Sequence, residues 1–313
     1  MPAMQILVVA GFVVAMSLMP ASGPDPAPPA WWLPALLAAG YVAVAYSATR
    51  LTAGLGLRRL MRSQGGPPRL GKVPVALALA TQVYLVAGLA GLMLLGWGDL
   101  VFHRLALGAV PLAPKVLAVA PFVLALCVHW WTIYPLQRAL RMQLSQDLAM
   151  AGEPVPRTWS RGEFLGLNIR HSLLFVAVPA GAIVLMLDIL AWAQSANWLG
   201  SDVAGVIGVL ASGCVLLLAP AAIVRIWRAY PLPAGPLRAE LDDRCRRMKL
   251  TCREILVWQT GGTIANAGVM GLIGPVRYVL LSDVLLERMD DEQVEAIFAH
   301  EAGHVACRHI PYM

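Results

Sequence analysis

The residues best suited to chemistry are His300, Glu301 and His304, close to the end of the printed sequence. On an α-helix, positions four residues apart lie on one face, so the two imidazoles can bind the same metal ion. Zinc suits imidazole ligands and lowers the pKa of its bound water to about 7. Glu301, beside the first histidine, can accept a proton from that water. The spacing therefore predicts metal-assisted peptide hydrolysis, with zinc ligands His300 and His304 and general base Glu301.

The segments around this motif predict a small α+β domain over residues 231–313. Asp290 is the predicted N-cap of the motif helix, and Gln293 is its capping-box partner three residues later. The predicted elements are a charged helix at 237–249, strands at 254–258 and 276–281, a short helix at 283–288, and the motif helix from Asp290 to about Arg308.

The rest of the chain is much more apolar than a soluble protein. Of the 313 residues, 58% are hydrophobic and 13% are charged, whereas soluble domains carry about 25% charged residues. Apolar segments recur at about the 20 residues that a helix needs to cross a bilayer. The fold class predicted is a mainly α membrane protein, with six transmembrane helices in residues 1–230 followed by a partial α+β domain. The predicted spans lie at about 3–20, 31–49, 73–96, 115–135, 172–194 and 203–224.

The loop charges predict the orientation of these spans. Loops 50–72 and 136–171 carry six and five Lys and Arg residues, whereas 20–30 and 195–202 carry none. Because basic loops remain in the cytoplasm, both termini are predicted there, in a multi-pass protein of a bacterial inner membrane. The net charge of +6 arises from these loops, since the residues from 225 onward hold 11 basic and 11 acidic residues. This distribution argues against nucleic-acid binding.

A nucleotide site is also not expected. The segment 66–73 (GPPRLGKV) nearly matches a phosphate-binding loop. Val73, however, lacks the hydroxyl that binds magnesium, and Pro67 and Pro68 lack the N–H groups that bind phosphate. The expected partners are therefore the lipid bilayer and a polypeptide substrate.

The run from Asn266-Ala267 through VRYVLLSDVLLERMDDEQVEAIFAHEAGHVACRH resembles the membrane zinc metallopeptidases that include the CAAX prenyl protease and the HtpX heat-shock protease. The resemblance to these HExxH gluzincins covers 253–309, including Asp291-Glu292-Gln293 and Arg308-His309. It implies a zincin-like domain with one Zn²⁺ per chain at His300 and His304, and Glu301 as general base. It also implies that the 276–281 strand offers its edge to an extended substrate.

The third zinc ligand of that family is a Glu on a later helix, and no acidic residue follows Glu301 in this sequence. A truncated chain, a ligand from a partner and an incomplete site all remain open. Truncation after the motif helix is the expectation, because that helix would otherwise lack packing partners.

The function predicted is a zinc metalloendopeptidase that cleaves membrane or membrane-proximal proteins. The alternatives are a signal-transducing receptor-metalloprotease of the β-lactam-sensor type and a catalytically silent membrane scaffold.

Other titratable residues are interpreted as structural. Asp188 lies inside a predicted span, where a carboxylate is costly, so a hydrogen-bonded role is favoured over one in a substrate cavity. His103, His129 and His171 lie near span ends and are predicted to be interfacial. His309 is about 140° around the helix from His304 and is a poor third ligand. The five scattered cysteines are predicted to be reduced.

Overall fold

The computed structural model describes residues 2–20, 32–62, 72–105, 107, 110–152, 155, 158–262 and 265–306. The helices are α1 (Pro2–Ser17), α2 (Trp32–Arg62), α3 (Lys72–Leu92), α4 (Ala113–Met150), α5 (Arg161–Asn168), α6 (Phe175–Ser195), α7 (Ser201–Ile226), α8 (Pro236–Arg247), α9 (Asp283–Arg288) and α10 (Asp291–Ala306). The strands are β1 (Tyr230–Pro231), β2 (Glu254–Trp258), β3 (Ala267–Met270) and β4 (Tyr278–Ser282). Short π-helical segments, Met93–Trp97, Leu100–Arg104 and Ile169–Leu174, adjoin the apolar helices.

Among the residues that the structure describes, five helical segments are long and apolar enough to cross a membrane, at 26 to 38 residues each. They are Trp32–Arg62, Lys72–Trp97, Ala113–Met150, Arg161–Ser195 and Ser201–Ile226. Five of the six predicted spans are thereby matched by helices. The first, α1, is a shorter apolar helix, so its role as a sixth span stays a prediction.

Residues 1–144 and 158–199 form one compact unit. Its core is centred on α4, where Phe122, Leu126 and Trp130 recur at four-residue intervals and are almost fully buried. Helix α1 approaches α4 closely at Gly11, where an added Cβ would lie only 2.4 Å from the Phe122 ring. Small residues permit such close helix contacts inside a membrane.

The polar groups predicted to be structural in this unit have protein partners. Asp188 accepts a hydrogen bond from the backbone N–H of Leu112 at 2.9 Å and forms an ion pair with Lys115. A paired carboxylate is tolerated inside a span, so the structural interpretation of Asp188 is supported. The histidines are similarly bonded: His103 to Asp99 (3.1 Å), His129 to Thr49 (2.9 Å) and His171 to the carbonyl oxygen of Leu167 (3.0 Å).

Residues 145–157 and 200–313 form the second unit, in which α7 is grouped with a four-stranded sheet. The strand order is β1-β2-β4-β3; β2 and β4 are parallel, and the other two pairs are antiparallel. The predicted boundary at residue 230 places α7 with the other spans, and that boundary stays a prediction.

Several elements predicted around the motif have close counterparts. Strand 254–258 and helix 283–288 coincide with β2 and α9, and helix 237–249 corresponds to α8. The predicted strand 276–281 begins later, at Tyr278, because Gly274–Val276 forms a 3₁₀ turn. Strands β1 and β3 were not predicted.

The expectation that the 276–281 strand offers its edge to a substrate is wrong. Strand β4 is hydrogen-bonded to β2 on one side and to β3 on the other, so neither of its edges is available. Among the strands that the structure describes, β3 lies at the edge of the sheet on this side.

Candidate metal centre

The helix that carries the HExxH motif begins at a complete capping box. The backbone N–H of Gln293 donates to Oδ1 of Asp290 at 2.8 Å, and the backbone N–H of Asp290 donates to Oε1 of Gln293 at 3.3 Å. These bonds satisfy backbone groups that the first helical turn cannot pair internally. The predicted N-cap is confirmed, and it fixes where α10 begins.

One face of α10 is buried against the sheet. Val294, Phe298 and Ala302, spaced four residues apart, are 1%, 0% and 0% exposed. They pack in a core with residues of β2, β4 and α8, including Ile255 and Val279. Because this stripe fixes the rotation of α10 about its axis, it also determines which residues face away from the sheet.

The motif residues lie away from that buried stripe. His300 is exposed and Glu301 is half-buried. Position 304 is one helical turn after His300, so the two positions share a helix face. The side chain of His304 lies outside the described part of the structure, as do Arg308 and His309. The helix therefore presents position 300 to ligands, with the Glu301 carboxylate at the border between the exposed and buried faces.

An ion pair joins α10 to α8, and its Arg244 side chain is 40% exposed. Glu295 is almost fully buried and pairs with the Arg244 guanidinium. A hydrogen bond with the Glu240 side chain, together with Arg244, lowers the pKa of Glu295 below its usual value. The carboxylate is therefore charged at neutral pH, and the ion pair holds the motif helix against α8.

The donor chemistry of the motif fits a zinc ion only in part. Two imidazole positions on one helix face with an adjacent carboxylate are the donor types that a catalytic zinc uses. Within the described ranges, no group of three His, Cys, Asp or Glu side chains could hold a metal ion. A complete site therefore requires the His304 side chain and a further donor from outside the described residues.

Helix α10 also packs against the edge strand β3. The backbone N–H of Ser282 donates to the carbonyl oxygen of Asn266 at 3.0 Å, which sets the hydrogen-bonding alternation between β3 and β4. By that alternation, Gly268 and Met270 bond to β4, while Ala267 and Val269 direct their N–H and C=O groups outward. The motif helix thus lies beside a strand that offers backbone donors and acceptors.

Sequence reasoning missed this strand because Ala267–Met270 is short and has no clear apolar alternation. Its pairing with β4 is a tertiary contact. The available signal was the Asn266-Ala267 pair, because β3 begins at Ala267.

The fold is that of a membrane protein with several apolar helices and an α+β unit that carries the HExxH helix. Residues 236–313 match the model of peptidase family M48. The chain is 30% identical over 144 residues to a protease HtpX homolog of Aeropyrum pernix, covering 44% of each protein. It is 25% identical over 101 residues to a CAAX prenyl protease 1 homolog of Arabidopsis thaliana, covering 31% of this chain and 24% of that protein.

The C-terminal part of this chain is therefore similar to peptidase family M48. The chain spans less than half the length of these two curated relatives. No solved structure matches it.

Proposed function

We propose that this chain is a zinc-dependent metalloendopeptidase of the membrane that hydrolyses peptide bonds in membrane or membrane-proximal proteins. The observation that carries the proposal is the placement of the HExxH helix. The buried stripe of α10 leaves His300 exposed and Glu301 half-buried, beside an edge strand. The match of residues 236–313 to peptidase family M48 supports the same reaction.

His300 and His304 would hold the ion, with a further ligand from outside the described residues. Zinc bound there would supply a Lewis acid that activates water and polarises the peptide carbonyl. Glu301 then accepts the proton of the attacking water while the C–O bond forms, and it delivers that proton to the amine as the C–N bond breaks. The products are a new carboxyl terminus and a new amino terminus. The Glu301 carboxylate must therefore be able to approach both the water oxygen and the amine nitrogen.

The substrate would bind as an additional strand on β3. Ala267 and Val269 supply outward N–H and C=O groups, and an extended peptide can pair with them by β-augmentation. Such pairing recognises the backbone, which suits a peptidase that acts on many side chains. It also places the scissile bond near α10, because β3 packs against that helix.

Substitution of Glu301 by Gln tests the chemistry in the full gene product, purified in lipid nanodiscs. We expect the variant to retain its zinc and to lose about 10²- to 10⁴-fold in peptide hydrolysis, the usual contribution of a general base. His300→Ala should lose the zinc itself. Glu292→Gln is the matched control, since Glu292 is exposed on the first turn of the same helix and should leave activity unchanged.

Equal activity of the Glu301→Gln variant and the unchanged chain would refute the role of Glu301. Absence of both zinc and hydrolysis in the unchanged chain would favour the silent scaffold.

Substitution of Val269 by Pro tests the substrate edge, because proline removes an outward N–H that β4 does not use. The loss of one net hydrogen bond, about 0.5–1.5 kcal/mol, should lower kcat/KM roughly two- to tenfold. Val269→Ala keeps the N–H and serves as the control. If both variants cleave equally well, the peptide does not bind along β3.

The orientation is proposed from the basic loops, which favour a cytoplasmic location for α10. A reporter that fluoresces only in the cytoplasm, fused after Arg288, should be bright. A dark reporter in a well-expressed fusion would refute the cytoplasmic location of α10.

A further inference from the structure

The connection between β3 and β4 exposes two large apolar side chains side by side. Leu272 is 60% exposed and Ile273 is 46% exposed. In the part of the chain described after α7, the other large apolar residue with comparable exposure is Tyr230. An exposed apolar pair on an otherwise polar surface is typical of an interaction site. We name residues 271–273 the apolar tip.

The apolar tip is held in a defined conformation. Gly271 has a φ of +109°, and a Cβ at this position would lie 2.2 Å from the carbonyl oxygen of Val276. The Arg277 side chain donates hydrogen bonds to the carbonyl oxygens of Gly271 (3.2 Å), Leu272 and Thr251 (3.1 Å). The Leu272 side chain is thus directed outward while its carbonyl is hydrogen-bonded within the protein. Internal pairing of backbone groups is what immersion in lipid requires.

The apolar tip lies alongside a membrane span of the same unit. Trp227, directly after α7, stacks on Trp258 at the C-terminal end of β2, with ring centroids 4.8 Å apart. The 3₁₀ turn Gly274–Val276 contacts α7 itself. This turn leads into Tyr278, which is paired with Glu254 at the opposite end of β2. The turn that directly follows the apolar tip therefore lies against α7.

A basic residue, Arg253, borders the apolar tip, and two more lie at the end of α7. The backbone N–H of Arg253 donates to the carbonyl oxygen of Arg277 at 2.7 Å, which places Arg253 next to the tip, and its side chain is exposed. Arg225 and Arg228, at the end of α7, are also exposed. An apolar centre with a cationic border complements the acyl and headgroup layers of an anionic leaflet.

We propose that Leu272 and Ile273 insert into the leaflet at the C-terminal end of α7, with Arg253 against the lipid headgroups. This contact would fix the sheet at the membrane surface in addition to the covalent link through α7. The anchor does not depend on the proposed peptidase activity. If that activity holds, the anchor keeps β3 close to the bilayer and favours substrates whose cleavage sites lie near the membrane.

Photo-crosslinking tests the proposal in the intact chain. A benzophenone amino acid replaces Leu272 or Ile273, the protein is reconstituted in nanodiscs of phosphatidylcholine and phosphatidylglycerol, and lipid adducts are measured by mass spectrometry after irradiation. Leu210, exposed on α7, is the positive control, and Glu292, exposed on α10, is the negative control. We expect lipid adducts at 272 and 273 with yields near that of 210, and background yield at 292.

Two results would overturn the anchor. One is background lipid yield at 272 and 273 in protein whose β4 retains its protection from hydrogen exchange. The other is crosslinking of these positions to a second copy of the chain in place of lipid. For the cationic border, Arg253→Gln should reduce the adduct yield in anionic nanodiscs to the yield in purely zwitterionic nanodiscs. An unchanged yield would remove Arg253 from the contact.

Discussion

Substitution of Gly271 by Ala should open the β3–β4 connection. The φ of +109° is strained for a residue with a side chain, which costs about 1–3 kcal/mol. The new Cβ would also lie 2.2 Å from the carbonyl oxygen and 2.9 Å from the carbonyl carbon of Val276, and 2.9 Å from Cα of Arg277. All three are backbone atoms, so no side-chain rotation relieves the contact. The connection must shift, and the hydrogen bonds of Arg277 to the apolar tip would be lost.

Hydrogen exchange of residues 267–282, read by mass spectrometry, measures this effect in the intact chain. A local destabilisation of about 1–3 kcal/mol corresponds to roughly 5- to 150-fold faster exchange. Gly268→Ala is the matched control, because apart from its chain neighbours no residue has an atom within 4 Å of a Cβ added at Gly268. Its exchange should stay the same or slow slightly. Equal exchange in the two variants would refute the described conformation of the connection and the basis of the apolar tip.

Three further predictions concern the peptidase unit. Phe298→Ala removes a fully buried ring and should destabilise the unit by about 3–5 kcal/mol, seen as a lower thermal midpoint and as reduced hydrolysis. Asp290→Ala removes the N-cap of α10 and should cost about 0.5–2 kcal/mol in the same assay, whereas Asp291→Ala, which removes no capping bond, should cost less. A hydrogen bond with Cys245 lowers the pKa of Cys252 to about 7. Alkylation of Cys252, followed by peptide mass spectrometry, should therefore slow as the pH falls through 7, because the thiolate is protonated. The pKa of Cys245 is raised by the same hydrogen bond, so Cys245 should stay unreactive across this range; an equal rate at both cysteines would contradict the pairing.

Local sequence signals predicted the elements closest to the chemistry. Residues 254–258 form the predicted strand, with its three central residues buried, and the Asp290 to Gln293 spacing is a capping box, because both depend on neighbouring residues alone. Lengths of apolar sequence predicted five of the spans, since crossing a bilayer imposes a minimum length on any helix. The zinc site itself stays a prediction.

Tertiary structure decided which strand is at the edge of the sheet. The sequence of β4 is apolar and typical of a strand, and it would be the same for an edge strand or a central one. Its position between β2 and β3 depends on pairing with residues 254–258 and 267–270. The exposure of Leu272 and Ile273 also could not be predicted from the local sequence, because apolar residues usually indicate a core. The hydrogen bonds of Arg277 and the positive φ of Gly271 hold the connection in the conformation that exposes these side chains. Spacing along the chain thus determined the local elements and the candidate ligands, whereas contacts between distant segments determined which of their surfaces remain available for binding.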